Sequence, residues 1–185
     1  YLIRKSIMQT FLPYSDFELS AQLLDKQRCW KQVVEAHQLL NVLLSRNDKK
    51  GWVNHPASRM WYGYEPALQS YYNTFYDFSV SYHCVKPNKL SREEISSPTV
   101  LPPWLGYPSF HHAHQCNLMR KALDDRDGIN AMGGYKTPKT ELYDRLESHG
   151  LIDLDPTVEY IWPVDKDGSL LPEIADWCSG VQSNA

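Results

Sequence analysis

The strongest constraint on the fold is a stretch between Ser15 and Arg46 in which apolar side chains recur mostly every three or four residues. That period matches one face of an α-helix and not the alternating faces of a strand. The apolar set is Phe17, Ala21, Leu24, Val33, Ala36, Leu40, Val42 and Leu43. Ser15-Asp16-Phe17-Glu18 has the form of a capping box. The pattern predicts one long helix that starts here and ends at the polar loop 47–51.

Prolines and glycines predict where the other helices begin and end. Asn54-His55-Pro56 predicts the start of a second helix that runs toward Tyr82, with a kink at Pro66. A third helix is expected from Pro108-Ser109 through Lys121, and a fourth from Thr137-Pro138 until Gly150. These signals favour a helical protein.

The segments between and after the helices contain few helical signals. Four prolines and three serines within residues 86–103 indicate an exposed loop. Tyr160-Ile161-Trp162-Pro163-Val164 is the one strand-like run, and the acidic remainder is expected to wrap or fray. The predicted fold class is mainly α: a compact helical single domain over residues 1–185, with an N-terminal extension at 1–7 and an acidic C-terminal tail at 165–185.

Charge and composition narrow the compartment and the kind of partner. The net charge is −3, but residues 1–50 hold eight Lys and Arg against five acids, whereas residues 151–185 hold one against seven. A mildly basic body is therefore masked by an acidic tail. The four cysteines are scattered singly and no apolar run reaches bilayer length, which favours a reduced, cytoplasmic protein with no membrane partner, in a bacterial nucleoid or a host cell interior.

A candidate catalytic set lies on the first helix. Arg28, Lys31 and Glu35 are spaced three and four residues apart, which places two cations and a carboxylate on one helical face. Such a face could hold a phosphate and supply an acid or a base. The alternative is an ordinary solvated face with an ion pair of about 0.2–0.5 kcal/mol, and spacing alone favours that alternative.

The histidine-rich segment 111–117 raises the question of a metal. His112 and Cys116 stand four residues apart, but a structural zinc needs four ligands and a catalytic zinc three, and no partner motif supplies the rest. We therefore expect no metal and no cofactor. The sequence also lacks the P-loop, Rossmann, GxSxG and HExxH motifs. Their absence argues against nucleotide hydrolysis, nicotinamide chemistry, serine hydrolysis and zinc-dependent proteolysis.

Five strings, taken together, resemble the endonuclease V-like family of pyrimidine-dimer DNA glycosylases, which act in UV repair. They are Met8-Gln9-Thr10-Phe11-Leu12-Pro13-Tyr14, Leu24-Asp25-Lys26-Gln27-Arg28-x-x-Lys31-Gln32-x-x-Glu35-Ala36, Trp52-x-Asn54-His55-Pro56-Ala57-x-Arg59-Met60-Trp61-x-Gly63-Tyr64, Pro102-Pro103-Trp104-Leu105-Gly106 and His111-x-x-His114-x-x-Asn117-Leu118-x-Arg120-Lys121. The bacterial and phage members of the family are the nearer match. The resemblance runs from about Met8 to Lys121 and returns weakly at 160–164.

The resemblance implies a compact helical DNA glycosylase that is also an abasic-site (AP) lyase. An amine attacks the sugar C1′, expels the damaged base and leaves an imine that is open to β-elimination. The implied catalytic residues are Glu35, Lys31 and Arg28, and the implied partner is double-stranded DNA with damaged bases. The candidate DNA contacts are His55, Arg59, His114, Arg120 and Lys121.

The chain departs from the typical phage enzyme at the amine and at the carboxylate. That enzyme uses the α-amine of its processed N-terminus and a glutamate that follows an arginine, whereas Cys29 follows Arg28 here. The amine could be that of Met8, if the protein begins there, or a desolvated lysine such as Lys31 or Lys26.

Two other functions stay open. One is a noncatalytic DNA- or protein-binding module on the same scaffold, with an aromatic surface as the candidate site for a protein partner. The other is an enzyme that acts on a modified base or nucleotide, because fold resemblance alone does not decide the activity.

Overall fold

The computed structural model describes residues 8–46, 52–95, 97–128 and 139–183. Seven α-helices lie within these ranges. They are α1 (Phe17–Leu23), α2 (Lys26–Leu43), α3 (Pro56–Trp61), α4 (Glu65–Ser81), α5 (Pro108–Arg126), α6 (Glu141–Ser148) and α7 (Pro172–Ser183). The described residues form no named strand, so the predicted mainly α class is confirmed. None of their helices is both long enough and apolar enough to cross a bilayer.

The prediction of one long helix from Ser15 is wrong, because the chain breaks between α1 and α2. Leu24 and Asp25 adopt extended backbone angles, with ψ of 143° and 163°. The Asp25 carboxylate then caps α2 by accepting the N–H groups of Gln27 and Arg28, both at 3.0 Å. The apolar period hides this break, because Leu23 at the end of α1 and Leu24 within the break are both fully buried.

Capping of α1 also differs from the predicted capping box. The cap is Asp16 and not Ser15, and its Oδ1 accepts the N–H of Leu19 at 2.8 Å. Either residue type serves as a cap, and an ionised carboxylate is additionally favoured by the helix dipole.

The second predicted helix likewise divides into two. As expected, α3 begins at Pro56, and His55 caps it by accepting the N–H of Ala57 on Nδ1 at 3.1 Å. The helix stops before Gly63, which has a φ of +81° that favours glycine. Pro66 therefore stands in the first turn of α4 and does not kink a continuing helix, because the first turn requires no N–H from it.

The later part of the chain follows the predictions only in part. Helix α5 begins at Pro108 as predicted and extends past Lys121 to Arg126. Helix α6 is followed by Gly150 with a φ of +72°, whereas its predicted start at Thr137-Pro138 lies outside the described residues. The predicted strand at 160–164 is wrong: Val164 makes a single bridge to Leu170, and the acidic tail forms α7.

The core of the described residues centres on the packing of α2 against α4, with α1 also packed on α4. Its largest fully buried side chains are aromatic: Trp61, Trp104, Tyr71, Tyr72, Phe75 and Phe110. The face of α4 that bears Tyr71 and Phe75 packs into this core. This packing fixes one face of α2 against α4, and the candidate functional site lies on the other face of α2.

Candidate active site beside α2 and α5

An extended segment at the start of the described chain links α2 to α5. We call residues 9–14 the N-terminal segment. The Phe11 N–H donates to Gln32 Oε1 at 2.8 Å on α2, and the Leu12 N–H donates to His114 Nδ1 at 3.1 Å on α5. Since buried backbone groups need partners, these side chains hold the segment in place. The geometry of α2 relative to α5 is thereby set by hydrogen bonds as well as by packing.

Further bonds to the same segment come from α5. His111 Nδ1 lies 2.7 Å from the carbonyl oxygen of Leu12, and its Nε2 accepts the N–H of Gly106 at 2.8 Å. Gln115 Nε2 donates to the carbonyl oxygen of Pro13 at 2.8 Å. Because one His111 nitrogen must accept and the other donate, the ring is neutral, and burial lowers its pKa.

Glu35 is a buried carboxylate on α2 whose contacts with the described residues are long. The residue is 8% exposed. Its Oε1 lies 3.6 Å from Lys31 Nζ, and its Oε2 lies 3.3 Å from Gln32 Nε2 and 3.5 Å from the Gln9 N–H. These contacts are long, so burial outweighs them and the pKa of Glu35 is raised above its ordinary value. A carboxyl group in this state can exchange a proton nearer to neutral pH than a surface glutamate.

Arg28 is held between two carboxylates. Its Nη1 donates to Asp25 Oδ2 and to Asp125 Oδ2, each at 2.7 Å. The three side chains are 17%, 7% and 13% exposed, so water screens the network weakly. Arg28 is therefore neither the solvated residue nor the open phosphate ligand that the sequence left as alternatives. It fastens the start of α2 to the end of α5.

Lys121 on α5 is a partly buried amine among cations. Its Nζ lies 5.8 Å from the centre of the Phe11 ring. Burial, together with the positive charges of Arg28, Lys31 and Arg120, lowers the pKa of Lys121 to about 8, against the opposing effect of Asp124. At a pKa of about 8, roughly a tenth of the amine is in the unprotonated, nucleophilic form at pH 7.

Residues 8–79 match the model of the pyrimidine dimer DNA glycosylase family. The match confirms the resemblance over the N-terminal segment, α1, α2, α3 and most of α4. It contains Arg28, Lys31 and Glu35, whereas Arg120 and Lys121 lie beyond it. No curated protein and no solved structure matches the chain. The family description associates residues 8–79 with a glycosylase that recognises damaged pyrimidines in DNA.

Cys29, which follows Arg28 in the chain, lies in the core. It is fully buried, and its Sγ lies 3.2 Å from Ser79 Oγ on α4. Burial raises the pKa of the Cys29 thiol to about 11. The Cys29 thiol thus packs against α4, whereas the Glu35 carboxylate lies beside the N-terminal segment.

The five candidate DNA contacts lie in different environments. Arg120 is partly buried and donates from Nη2 to Asn117 Oδ1 at 2.9 Å, beside Lys121. His114 is fully buried, and burial lowers its pKa well below the ordinary value. The structure therefore does not place His114 where DNA could reach it; its role is to hold Leu12.

His55 and Arg59 lie around α3, at the end of a series of ring contacts. The His55 ring is 5.0 Å from Trp52 and 5.7 Å from Trp162. The Trp162 ring in turn contacts the Tyr160 ring, and the Tyr160 ring contacts the His114 ring, both with ring centres 4.6 Å apart. Arg59, in α3, is partly buried. Burial lowers the pKa of His55, and the positive charge of Arg59 lowers it further. Aromatic side chains thus lead from partly exposed Trp52 to the interior side of the N-terminal segment.

Sequence reasoning missed the acidic partners of Arg28 and the central place of Phe11. Asp125 is 97 residues from Arg28, and no spacing rule joins them. Lys121 was assigned to DNA contact because it follows Arg120 in a family-like string, and its partial burial was not visible. Among the described residues no three His, Cys, Asp or Glu side chains are arranged to hold a metal ion.

Proposed function

We propose that this protein is a DNA glycosylase with AP lyase activity that acts on pyrimidine dimers or related damaged bases in double-stranded DNA. The observation that carries the proposal is the buried Glu35 carboxylate, 3.6 Å from Lys31 Nζ on the same side of α2, with a pKa that burial raises. A carboxyl group, an amine and flanking cations are the groups that this reaction requires.

Each group has a distinct role in the proposed reaction. An amine attacks C1′ of the damaged nucleotide as the bond from C1′ to the base breaks and the base departs. Glu35 stabilises the positive charge that develops on the sugar and then moves protons during ring opening. Lys31 and Arg120 contact the flanking phosphates. Arg28 acts as a positioning residue, because both of its ion pairs hold α2 to α5.

The test uses duplex DNA with a site-specific thymine dimer, and in parallel duplex DNA with an abasic site. Base release and strand cleavage are followed with and without borohydride, which reduces an imine to a stable covalent adduct. The expected result is cleavage of both duplexes and a trapped protein–DNA adduct. If the wild-type protein neither releases a base nor cleaves or traps either duplex, the proposed activity is excluded.

A noncatalytic DNA-binding module is the second candidate. Two observations favour it: the residue after Arg28 is a buried cysteine and not a carboxylate, and Arg28 is committed to Asp25 and Asp125. Such a module would bind duplex DNA with an affinity that falls as salt is added, because phosphate contacts release counterions. Binding of this kind without cleavage or trapping would favour the second candidate over the first.

A further inference from the structure

We propose that Gln32 is a positioning residue that holds the Glu35 carboxylate in place for the reaction. The two residues stand three apart on α2, so they share one helical face. Gln32 is fully buried and acts through Glu35. Its role in catalysis rests on the proposed glycosylase/lyase function, whereas its hold on the carboxylate can be measured in the protein alone.

The side-chain amide of Gln32 is held in one orientation. Its Oε1 accepts the Phe11 N–H at 2.8 Å. If the amide were turned over, the Nε2 hydrogens would face that N–H, and Oε1 would face the Glu35 carboxylate. A donor would then meet a donor and an acceptor would meet an acceptor, which is costly for buried groups. Nε2 is therefore directed at Glu35 Oε2, which lies 3.3 Å away.

The hydroxyl group of Tyr71 contacts the same amide from the core. Tyr71 Oη lies 2.9 Å from Gln32 Oε1 and 3.1 Å from the carbonyl oxygen of Phe11, and it can donate its proton to either. Tyr71 belongs to α4 and is itself fully buried, with its ring centre 4.3 Å from that of Phe75. The N-terminal segment and the core thus both fix the position of Gln32.

The contacts of Glu35 differ in how far they can restrict it. Lys31 Nζ lies 3.6 Å from Oε1, but the Lys31 side chain is 49% exposed and has a long flexible stem. Holding such a side chain in one geometry costs conformational entropy, so a half-exposed lysine contributes charge more than position. Gln32 is fully buried and its amide is already fixed by other bonds. It is therefore the side chain better able to fix Oε2.

A donor at Oε2 has two consequences for the reaction. It keeps the carboxylate charge in one place, where that charge stabilises the positive charge that develops on the sugar. It also favours the ionised form of Glu35, against the burial that raises the pKa of this group. Removing the donor should therefore displace the carboxylate and raise its pKa further.

Gln69 on α4 provides a matched control. It is 6% exposed, and its Nε2 lies 3.3 Å from Glu93 Oε2, the same distance that separates Gln32 from Glu35. Glu93 also receives hydrogen bonds of 2.7 and 2.6 Å from Arg46. Gln69 is therefore a buried glutamine beside a carboxylate that another residue already holds.

The first experiment follows side-chain signals of the wild-type protein by NMR and needs no substrate. The Gln32 side-chain amide and the Glu35 carboxyl carbon are titrated together, with Gln32→Met and Glu35→Gln used to assign the signals. We expect the Gln32 amide protons to move downfield as Glu35 ionises, with the same midpoint. The Gln69 amide should follow Glu93 at a lower pH, because hydrogen bonds from Arg46 lower the pKa of Glu93. A Gln32 amide that does not respond when Glu35 ionises would overturn the inference.

The second experiment measures the single-turnover rate of abasic duplex cleavage against pH for the wild type, Gln32→Met and Gln69→Met. Gln32→Met should raise the Glu35 midpoint and the acid limb of the rate profile together, by about one pH unit, and lower the plateau rate by about 10- to 100-fold. Gln69→Met should leave the acid limb and the plateau unchanged. A purely structural effect would lower the rate at every pH without moving the acid limb. Urea unfolding shows whether both variants fold, and if Gln32→Met does not, the wild-type titration decides.

The outcomes distinguish failure of Gln32 from failure of the proposed function. Cleavage by Gln32→Met with an unshifted acid limb would overturn the positioning role and leave the lyase function intact. A wild-type protein that neither cleaves nor traps DNA would exclude the proposed function and the catalytic role of Gln32. In such a protein, a shared titration midpoint would still support the hold of Gln32 on Glu35.

Discussion

Two buried carboxylates beside α2 have different surroundings. Glu35, in the middle of α2, lies 3.6 Å from Lys31 Nζ. Glu93, in the loop after α4, receives two short hydrogen bonds from Arg46 at 2.7 and 2.6 Å, another from Gln69 at 3.3 Å, and lies 3.9 Å from His37 Nδ1. Both side chains are about equally buried, at 10% and 9% exposed.

The two carboxylates differ in the direction of their pKa. Hydrogen bonds from Arg46 outweigh burial and lower the pKa of Glu93, whereas burial outweighs Lys31 and raises the pKa of Glu35. A fully paired carboxylate mainly stabilises the fold in its ionised state. A buried carboxylate with long contacts releases its proton at a higher pH than a paired one, and this difference distinguishes a candidate acid or base from a structural ion pair.

The largest expected effect comes from removing each carboxylate in turn. Glu35→Gln should lower lyase activity by about 10²–10⁴-fold, because the side chain keeps its shape and loses its proton exchange. Glu93→Gln should keep activity and lower the free energy of unfolding by about 1–2 kcal/mol, since Arg46 is itself partly exposed. Single-turnover cleavage and urea unfolding measure the two effects. Equal losses of activity would remove the distinction.

A second prediction concerns Arg28. Like Arg46, it is paired with carboxylate groups, but it lies beside the candidate active site. Arg28→Met leaves Asp25 and Asp125 without their shared cation in a weakly hydrated position. We expect the free energy of unfolding to fall by about 3 kcal/mol. Urea unfolding would measure this, with Arg92→Met as the control because Arg92 is 58% exposed. A change below 1 kcal/mol, on the order of an exposed pair, would place Arg28 among surface residues.

A third prediction uses the stability cost of a charged Lys121. Its pKa is about 8 in the folded protein, below the ordinary 10.5, so the unfolded chain binds more protons between these values. Stability from this group therefore rises as pH increases through that window. Lys121→Met should be more stable than wild type by about 1–2 kcal/mol at pH 7, with the difference shrinking above pH 10. Chemical denaturation at both pH values tests this, and a pH-independent difference would contradict it.

The smallest expected effect is on the salt dependence of DNA binding. Arg120→Ala should reduce the slope of log affinity against log salt by about 1, because one phosphate contact is lost. Arg46→Ala should leave the slope unchanged, since Arg46 is bonded to Glu93 at the other end of α2. Fluorescence anisotropy over a salt series measures both slopes. Identical slopes in the Arg120 variant and the wild type would remove Arg120 from the interface.

Much of the helical framework followed from local patterns. The starts of α3 and α5 at Pro56 and Pro108 were predicted because proline suits the first helical turn. The break at Leu24-Asp25 was not, because Leu23 and Leu24 are both buried and the apolar period continues across the break. The strand-like run at 160–164 has no partner strand among the described residues. Its Tyr160 ring packs against His114 instead, and this tertiary contact outweighs the β propensity of the run.

The site could be predicted as a set of residue types but not as a geometry. Helical spacing joined Lys31 to Glu35, and the structure places them 3.6 Å apart. Spacing could not reveal that Arg28 is bound by Asp125, or that His114 points into the core to hold Leu12. Both depend on α5 lying beside the N-terminal segment, which is a contact across about a hundred residues of chain.

By itself, the sequence determined that this protein is mainly helical and that residues 8–79 resemble pyrimidine dimer DNA glycosylases, because helical period, capping residues and short motifs are local properties. Only the tertiary structure decided which charges are available for chemistry. Burial and long-range pairing commit Arg28 to a structural network, raise the pKa of Glu35 and lower that of Lys121. These effects depend on which groups are brought together and how much water remains around them, and a linear sequence specifies neither until it folds.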